Sequence, residues 1–68
     1  MIPFFDNSNR RWSLNPSYII GIKEYQGDDS EIKSVLMYGS GFVDEVYLNY
    51  PAAAIEKLIL HWVNKGDK

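Results

Sequence analysis

Hydrophobic positions in the last quarter of the chain repeat with the period of a helix. The segment 51–64, PAAAIEKLILHWVN, opens with a proline suited to a first turn and three alanines that favour helix. Its apolar residues follow three- and four-residue spacing and therefore share one stripe; they are Ile55, Leu58, Ile59 and Trp62. The sequence predicts a C-terminal amphipathic helix that covers a sheet.

The remaining chain alternates short apolar runs with turn-forming residues. Dense Asp, Asn, Ser, Gly and Pro clusters divide it into five predicted strands, at 2–5, 10–14, 18–25, 31–38 and 42–48. The run 31–38 is apolar on both alternating faces, which is typical of a central strand. Because the connections are short, neighbouring strands are antiparallel. The predicted fold is one α+β domain, 1–68, in which a small antiparallel sheet of about five strands lies under one helix.

Composition limits how so short a chain can be stabilised. With 68 residues, a single domain is expected, and its stability as an isolated monomer is marginal. The absence of cysteine excludes disulfides, and a single histidine argues against a structural zinc site. A hydrophobic content of 46% excludes a disordered chain. Close packing or self-association therefore remains, and no cofactor is expected.

Charge and hydropathy narrow the possible partners. The net charge of −2 argues against non-specific binding to a nucleic-acid backbone, which needs a concentrated basic surface. No apolar run is long enough to span a membrane, and the N-terminus lacks the pattern of a signal peptide. We therefore expect a cytoplasmic protein with no membrane partner.

The predicted two-layer fold leaves one sheet face without a helix. That face should carry some of Tyr18, Tyr25 and Tyr47, and an apolar second face favours a protein partner or a homo-oligomer. Leu60 lies away from the apolar stripe of the helix and is either an ordinary exposed leucine or part of a subunit contact. Tyr47 and Leu60 are therefore candidate partner-binding residues.

The stretch Arg10-Arg11-Trp12 supports an alternative function. Two guanidinium groups and an indole could hold a phosphate and stack a base, which would make this a nucleotide or single-stranded nucleic-acid binding module, with pockets at subunit boundaries of an oligomer. The opposite interpretation is that Trp12 packs under the helix while the arginines extend into solvent. The position of the indole distinguishes the two.

The sequence gives little support to an enzyme. Any base–nucleophile pair would have to use His61, the only histidine, which we expect to be solvated or at the edge of the core. The acidic residues around Asp28 and Asp29 lack the spacing of a calcium-binding loop. The segment 39–41 has the glycines of a turn and precedes a strand, so it is not a phosphate-binding loop. We predict a non-enzymatic protein without catalytic or metal-binding residues.

Two segments resemble the small FlbD/SwrD-type flagellar proteins. These are 9–15, NRRWSLN, followed by Tyr18-Ile19 and Ile22, and the helical run 55–59. The resemblance implies a β-rich fold with a closing helix. Three features depart from that family: a longer loop at 26–30, a Gly-Ser-Gly turn at 39–41 in place of Asn-Gly, and alanines where that family's helix begins with acidic residues.

Function does not follow from fold alone. A stand-alone regulator or inhibitor, such as a small phage-encoded one, would present the same pattern as a flagellar protein. The sequence-level prediction is a small non-enzymatic interaction or assembly protein that binds a protein partner or itself.

Overall fold

A computed structural model describes residues 1–66 and shows a small α+β domain of five strands and one C-terminal helix. The strands are β1 (Ile2–Phe5), β2 (Arg11–Leu14), β3 (Ile19–Glu24), β4 (Ser34–Tyr38) and β5 (Asp44–Leu48), and the helix is α1 (Ala52–Gly66). The predicted α+β class, the five strands and the closing helix are confirmed.

The strands divide between two antiparallel sheets, β1–β2 and β3–β4–β5, where the sequence suggested one. The division occurs at Asn15, whose side chain accepts a hydrogen bond from the Ser17 N–H at 3.0 Å and begins a short 3-10 turn, Pro16–Tyr18. This turn redirects the chain before β2 can continue into β3. Strand β4 is central in its sheet, as its two apolar faces predicted.

Local hydrogen bonds make the strands shorter than their apolar runs. Strand β4 begins at Ser34 because Asp29 holds the preceding residues in a turn, accepting the Glu31 N–H on its side chain and the Ile32 N–H on its carbonyl. Strand β5 begins at Asp44 because Gly39 and Gly41 both take positive φ values in the turn before it. An apolar run therefore marks the maximum extent of a strand.

The core lies between the β1–β2 hairpin, the inner face of the three-stranded sheet and the helix. Its buried apolar side chains come from all three units: Ile2, Phe4, Leu14, Leu36, Val46, Leu48 and Ile55. The remaining residues of the helical stripe, Leu58, Ile59 and Trp62, are half-buried and pack against this core. The predicted orientation of the helix is confirmed.

The start of the helix is fixed to the central strand. The carbonyl of Pro51 accepts hydrogen bonds from the N–H groups of Ala54 and Ile55, so Pro51 immediately precedes the first turn. The buried hydroxyl of Ser34 donates to the carbonyl of Tyr50 at 2.7 Å. This bond satisfies a buried polar group and holds the β5–α1 connection against β4.

Candidate protein-binding surface

The strongest candidate surface is the side of the three-stranded sheet that faces away from the helix. Side chains of a strand alternate between the two faces of its sheet. Since Leu36 and Val46 point into the core, their neighbours along β4 and β5 point outward. We call this surface the outer face; its side chains are Lys23, Tyr25, Val35, Met37, Glu45 and Tyr47.

Val35 gives the outer face an apolar centre of its own. It is only 3% exposed, yet it does not belong to the main core cluster. Two tyrosines of the same face, Tyr25 and Tyr47, meet edge to face with ring centroids 5.9 Å apart. Tyr47 is still 41% exposed. The outer face is therefore an apolar surface with large aromatic area available to a partner.

A glycine allows one of these tyrosines to lie flat along the loop. A Cβ at Gly27 would overlap the phenol ring of Tyr25, so no other residue fits there without moving that ring. The close approach explains why a glycine follows β3 at this point. The loop 26–30 thus helps to set the position of Tyr25 on the outer face.

One ion pair borders the apolar centre. Lys23 Nζ lies 3.3 Å from Glu45 Oε2, and both side chains are substantially exposed. A pair this exposed contributes little to folding stability, since solvent screens it. Its two charges of opposite sign are available to charges on a partner surface.

The indole of Trp12 is held within the domain. Trp12 is half-buried, stacks on Phe4 with ring centroids 5.7 Å apart, and meets the edge of Tyr38 at 5.4 Å. Its indole N–H donates to Asp6 Oδ2 at 2.9 Å. The polar atom of the ring is therefore bonded within the domain.

Asp6 organises the turn between β1 and β2. This carboxylate is 4% exposed and accepts the N–H groups of Ser8 and Arg10 on Oδ1, while Arg10 Nε and the indole donate to Oδ2. These bonds, with the Arg10 N–H first and the Trp12 indole second, lower the pKa of Asp6 from its ordinary value of 3.8, against the opposing effect of desolvation. Asn9 completes the turn in the left-handed conformation.

The two neighbouring arginines point to different places. Arg10 Nε lies 3.2 Å from Asp6 Oδ2, on the side of Trp12. Arg11 alternates to the other face of the hairpin and lines a groove next to the helix. Arg10, Arg11 and Trp12 are thus not gathered around a common pocket. Whether any of them binds a ligand or partner stays a prediction.

Leu60 lies on another part of the molecule from Tyr47. It is 60% exposed on the flank of α1 above β3, where it lines a shallow apolar groove with Ile19, Ile22 and Ile59. The helix covers the inner face of the sheet, whereas Tyr47 belongs to the outer face. One flat interface cannot include both, so a contact through Leu60 would be a second one.

The sequence indicates that Tyr25 and Tyr47 are candidates for the uncovered sheet face, but it does not indicate which side chains surround them. Asp6 belongs to one of the turn-forming clusters of the sequence, and a carboxylate shortly before two arginines and an indole is a usable signal for its role. The alternation of β4 indicated an apolar second face, but the overlap of Gly27 with Tyr25 depends on a loop conformation that no pattern reports.

The described residues give no cluster suited to a metal ion and no helix suited to a bilayer. Within residues 1–66, no three His, Cys, Asp or Glu side chains are grouped to hold a metal. None of the helical structure in this part of the chain is both long and apolar enough to cross a membrane. His61 is exposed and meets the edge of Trp62 at 5.9 Å.

No family model, curated protein or solved structure matches the chain. The resemblance to small flagellar proteins therefore stays a prediction.

Proposed function

We propose that this chain is a small non-enzymatic interaction protein that associates with a second copy of itself through the outer face. The observation that supports the proposal is Val35, a buried residue outside the main core. Tyr25 and Tyr47 lie beside it on the same side of the sheet. A second outer face would bury these tyrosines and complete a second core.

The charges at the border of the outer face favour a second copy as the partner. The face carries Lys23 on one edge strand and Glu45 on the other, 3.3 Å apart at their charged atoms. In a two-fold symmetric contact, the same patch meets itself, so Lys23 of one copy can approach Glu45 of the other. A patch with a single sign of charge would repel its own copy.

The size of the outer face sets the expected strength of association. Three strands of about five residues present roughly 14 by 17 Å, from the spacing of strands and the rise per residue. This is well below the ~800 Å² per partner of a standard stable interface. We therefore expect a weak, transient association.

We also propose a cytoplasmic location, as the sequence predicts. The nucleotide-binding alternative receives no support from the placement of Arg10, Arg11 and Trp12, because two of these side chains bond to Asp6 and the third points elsewhere. Roles as a regulator or an inhibitor are compatible with a small interaction module.

Sedimentation velocity from 10 µM to 1 mM tests the association. We expect Tyr47→Ala to raise the dissociation constant about tenfold, since aromatic residues at the centre of an interface commonly contribute about 1.4 kcal/mol or more. The matched control is Tyr50→Ala. Tyr50 is equally exposed, at 40% against 41% for Tyr47, but lies beside the helix, and its carbonyl remains to accept the Ser34 hydroxyl.

Circular dichroism should show folded protein for both tyrosine variants. A wild-type chain that stays monomeric at 1 mM would contradict the proposal. Equal weakening by Tyr47→Ala and Tyr50→Ala would also contradict it, because the effect would then not be specific to the outer face.

A further inference from the structure

A second surface, separate from the outer face, is the groove between strand β1 and helix α1. The groove has a volume of about 480 Å³. Its floor is formed by the core residues Phe4 and Ile55 with the half-buried Leu58, and its walls include the exposed rings of Phe5 and Tyr50. An apolar floor next to a strand edge is the arrangement that receives extended peptides in several binding domains.

Within residues 1–66, the ladder turns some backbone groups of β1 away from β2 and towards this groove. The Asp6 N–H donates to the Arg10 carbonyl, so Asp6 and Arg10 form a hydrogen-bonded pair. In an antiparallel ladder such pairs alternate. The backbone N–H and carbonyl of Phe4 therefore point towards β2, whereas the Phe5 N–H and the carbonyls of Phe5 and Pro3 point away from it. The free edge therefore offers one donor, the Phe5 N–H, and two acceptors, the carbonyls of Pro3 and Phe5.

One cationic side chain, that of Arg11, lies at the Phe5 end of the groove. Arg11 lies beside Phe5 across the hairpin and lines the groove, and within residues 1–66 it forms no ion pair. The first turn of α1 lies at the same end, because Met1, at the other end of β1, lies beside Trp62 and Lys65 in the last turns of the helix. A cation next to the positive end of a helix dipole favours a carboxylate there.

We propose that this groove binds an extended, apolar peptide segment of a partner protein, which pairs with β1 as an added antiparallel strand and places an acidic side chain over Arg11. Antiparallel pairing is the more stable kind. It places the N-terminal end of the segment at Phe5, so the acidic residue comes first and lies opposite Phe5. Apolar residues then follow opposite Phe4 and Ile2, on the side of the groove floor.

The probe is the blocked peptide SELTLS, whose glutamate pairs with Phe5 and whose two leucines face the floor. Titration into nitrogen-15-labelled protein, followed by NMR, should shift the Phe5 amide and protect it from hydrogen exchange. The variant Arg11→Gln should weaken binding about fivefold, as expected for the loss of one partly exposed charge-assisted contact. Lys65→Gln is the matched control, because Lys65 lies at the far end of α1 beside Trp62.

Two modified peptides test the strand pairing itself. N-methylation of the threonine should abolish binding, since that N–H donates to the Pro3 carbonyl in the proposed register. N-methylation of the first leucine should be tolerated, because its N–H points away from β1. Equal effects of the two modifications would overturn strand addition.

Three further outcomes would overturn the proposal. One is the absence of amide shifts at millimolar peptide. Another is equal or tighter binding of the peptide SLTLES, whose acidic residue comes at the other end. The last is protection of Phe5 by protein concentration alone, which would assign the edge to a second copy. The variant Tyr47→Ala should bind SELTLS normally, so failure of this proposal is distinguishable from failure of self-association.

Discussion

Two valines on opposite faces of the same sheet are almost equally buried for different reasons. Val46 on β5 is 6% exposed and belongs to the core formed with the hairpin and the helix. Val35 on β4 is 3% exposed, but it lies on the opposite face and outside the core cluster of residues 1–66. The comparison shows that burial alone does not identify the folding core. A buried residue that belongs to the core cluster stabilises the fold, whereas a buried residue outside it can form the centre of a partner-binding surface.

The matched substitutions Val46→Ala and Val35→Ala test this difference most strongly. We expect Val46→Ala to lower the free energy of unfolding by about 2–3 kcal/mol, because packed elements on both sides cannot close the cavity. We expect Val35→Ala to lower the free energy of unfolding by only about 1 kcal/mol, because the side chains around it can relax into the space. Urea unfolding at a fixed protein concentration measures both.

Repeating the unfolding measurements at several protein concentrations separates the two valines further. If the outer face is covered in an assembly, the cost of Val35→Ala should increase with protein concentration, whereas that of Val46→Ala should not. Equal costs for the two substitutions at low concentration would show that the outer face belongs to the folding core, and the comparison would then lose its basis.

The second prediction concerns the hairpin that covers only the inner face. Its turn is held by Asp6 and is joined to β5 by the hydrogen bond from the Asn7 N–H to the Tyr47 carbonyl, at 2.8 Å. The pKa of Asp6 is lowered from 3.8 in the folded chain. The stabilisation by the charged carboxylate is therefore complete above this value, and it is lost as the pH falls through the lower, folded-state pKa.

Urea midpoints measured from about pH 5 to about pH 2 test the role of Asp6. The wild-type midpoint should fall over this range. The variant Asp6→Asn should be less stable at pH 7, with a melting temperature lower by on the order of 10 °C, and should show a smaller fall in acid. Asp28→Asn, in an exposed loop, is the control. A parallel acid dependence of Asp6→Asn and wild type would exclude Asp6 as the source.

The sequence predicted those parts of the molecule that depend on local periodicity. The helical stripe from Ile55 to Trp62 and the alternation of β4 each report which face is apolar, because the period follows from backbone geometry. The division into two sheets and the binding of the Trp12 indole by Asp6 depend on turns at Asn15 and Asn9 that change the chain direction. Such turns are set by a few hydrogen bonds, and periodicity contains no information about them.

The candidate surfaces show the same limit. Tyr47 and Leu60 were correctly predicted to be exposed, but the pattern could not show that they lie on different sides of the domain. The placement of Arg10 and Arg11 on opposite faces follows from strand alternation, so the sequence alone predicts it. The groove beside Arg11 could not, because it requires the packing of the helix against the hairpin.

The smallest expected effect concerns the covering of Val35 by Tyr25. At Gly27 an added methyl group would overlap the Tyr25 ring, which can move because it is the end of a side chain. The substitution Gly27→Ala should raise the free energy of unfolding by about 0.4–1 kcal/mol, because it restricts the unfolded chain. It should also lower that free energy by a similar amount, about 0.5–1.5 kcal/mol, because Tyr25 leaves its edge contact with Tyr47. The net change in stability is therefore close to zero.

A double-mutant cycle separates these opposing effects. In a Tyr25→Ala background the ring that the new methyl group overlaps is absent, so Gly27→Ala should become stabilising. NMR contacts between the rings of Tyr25 and Tyr47 should weaken in Gly27→Ala alone. If the two substitutions instead add independently, Gly27 does not position Tyr25. The covering of Val35 would then depend on Tyr47 and the strand geometry, and the loop would have no part in shaping the outer face.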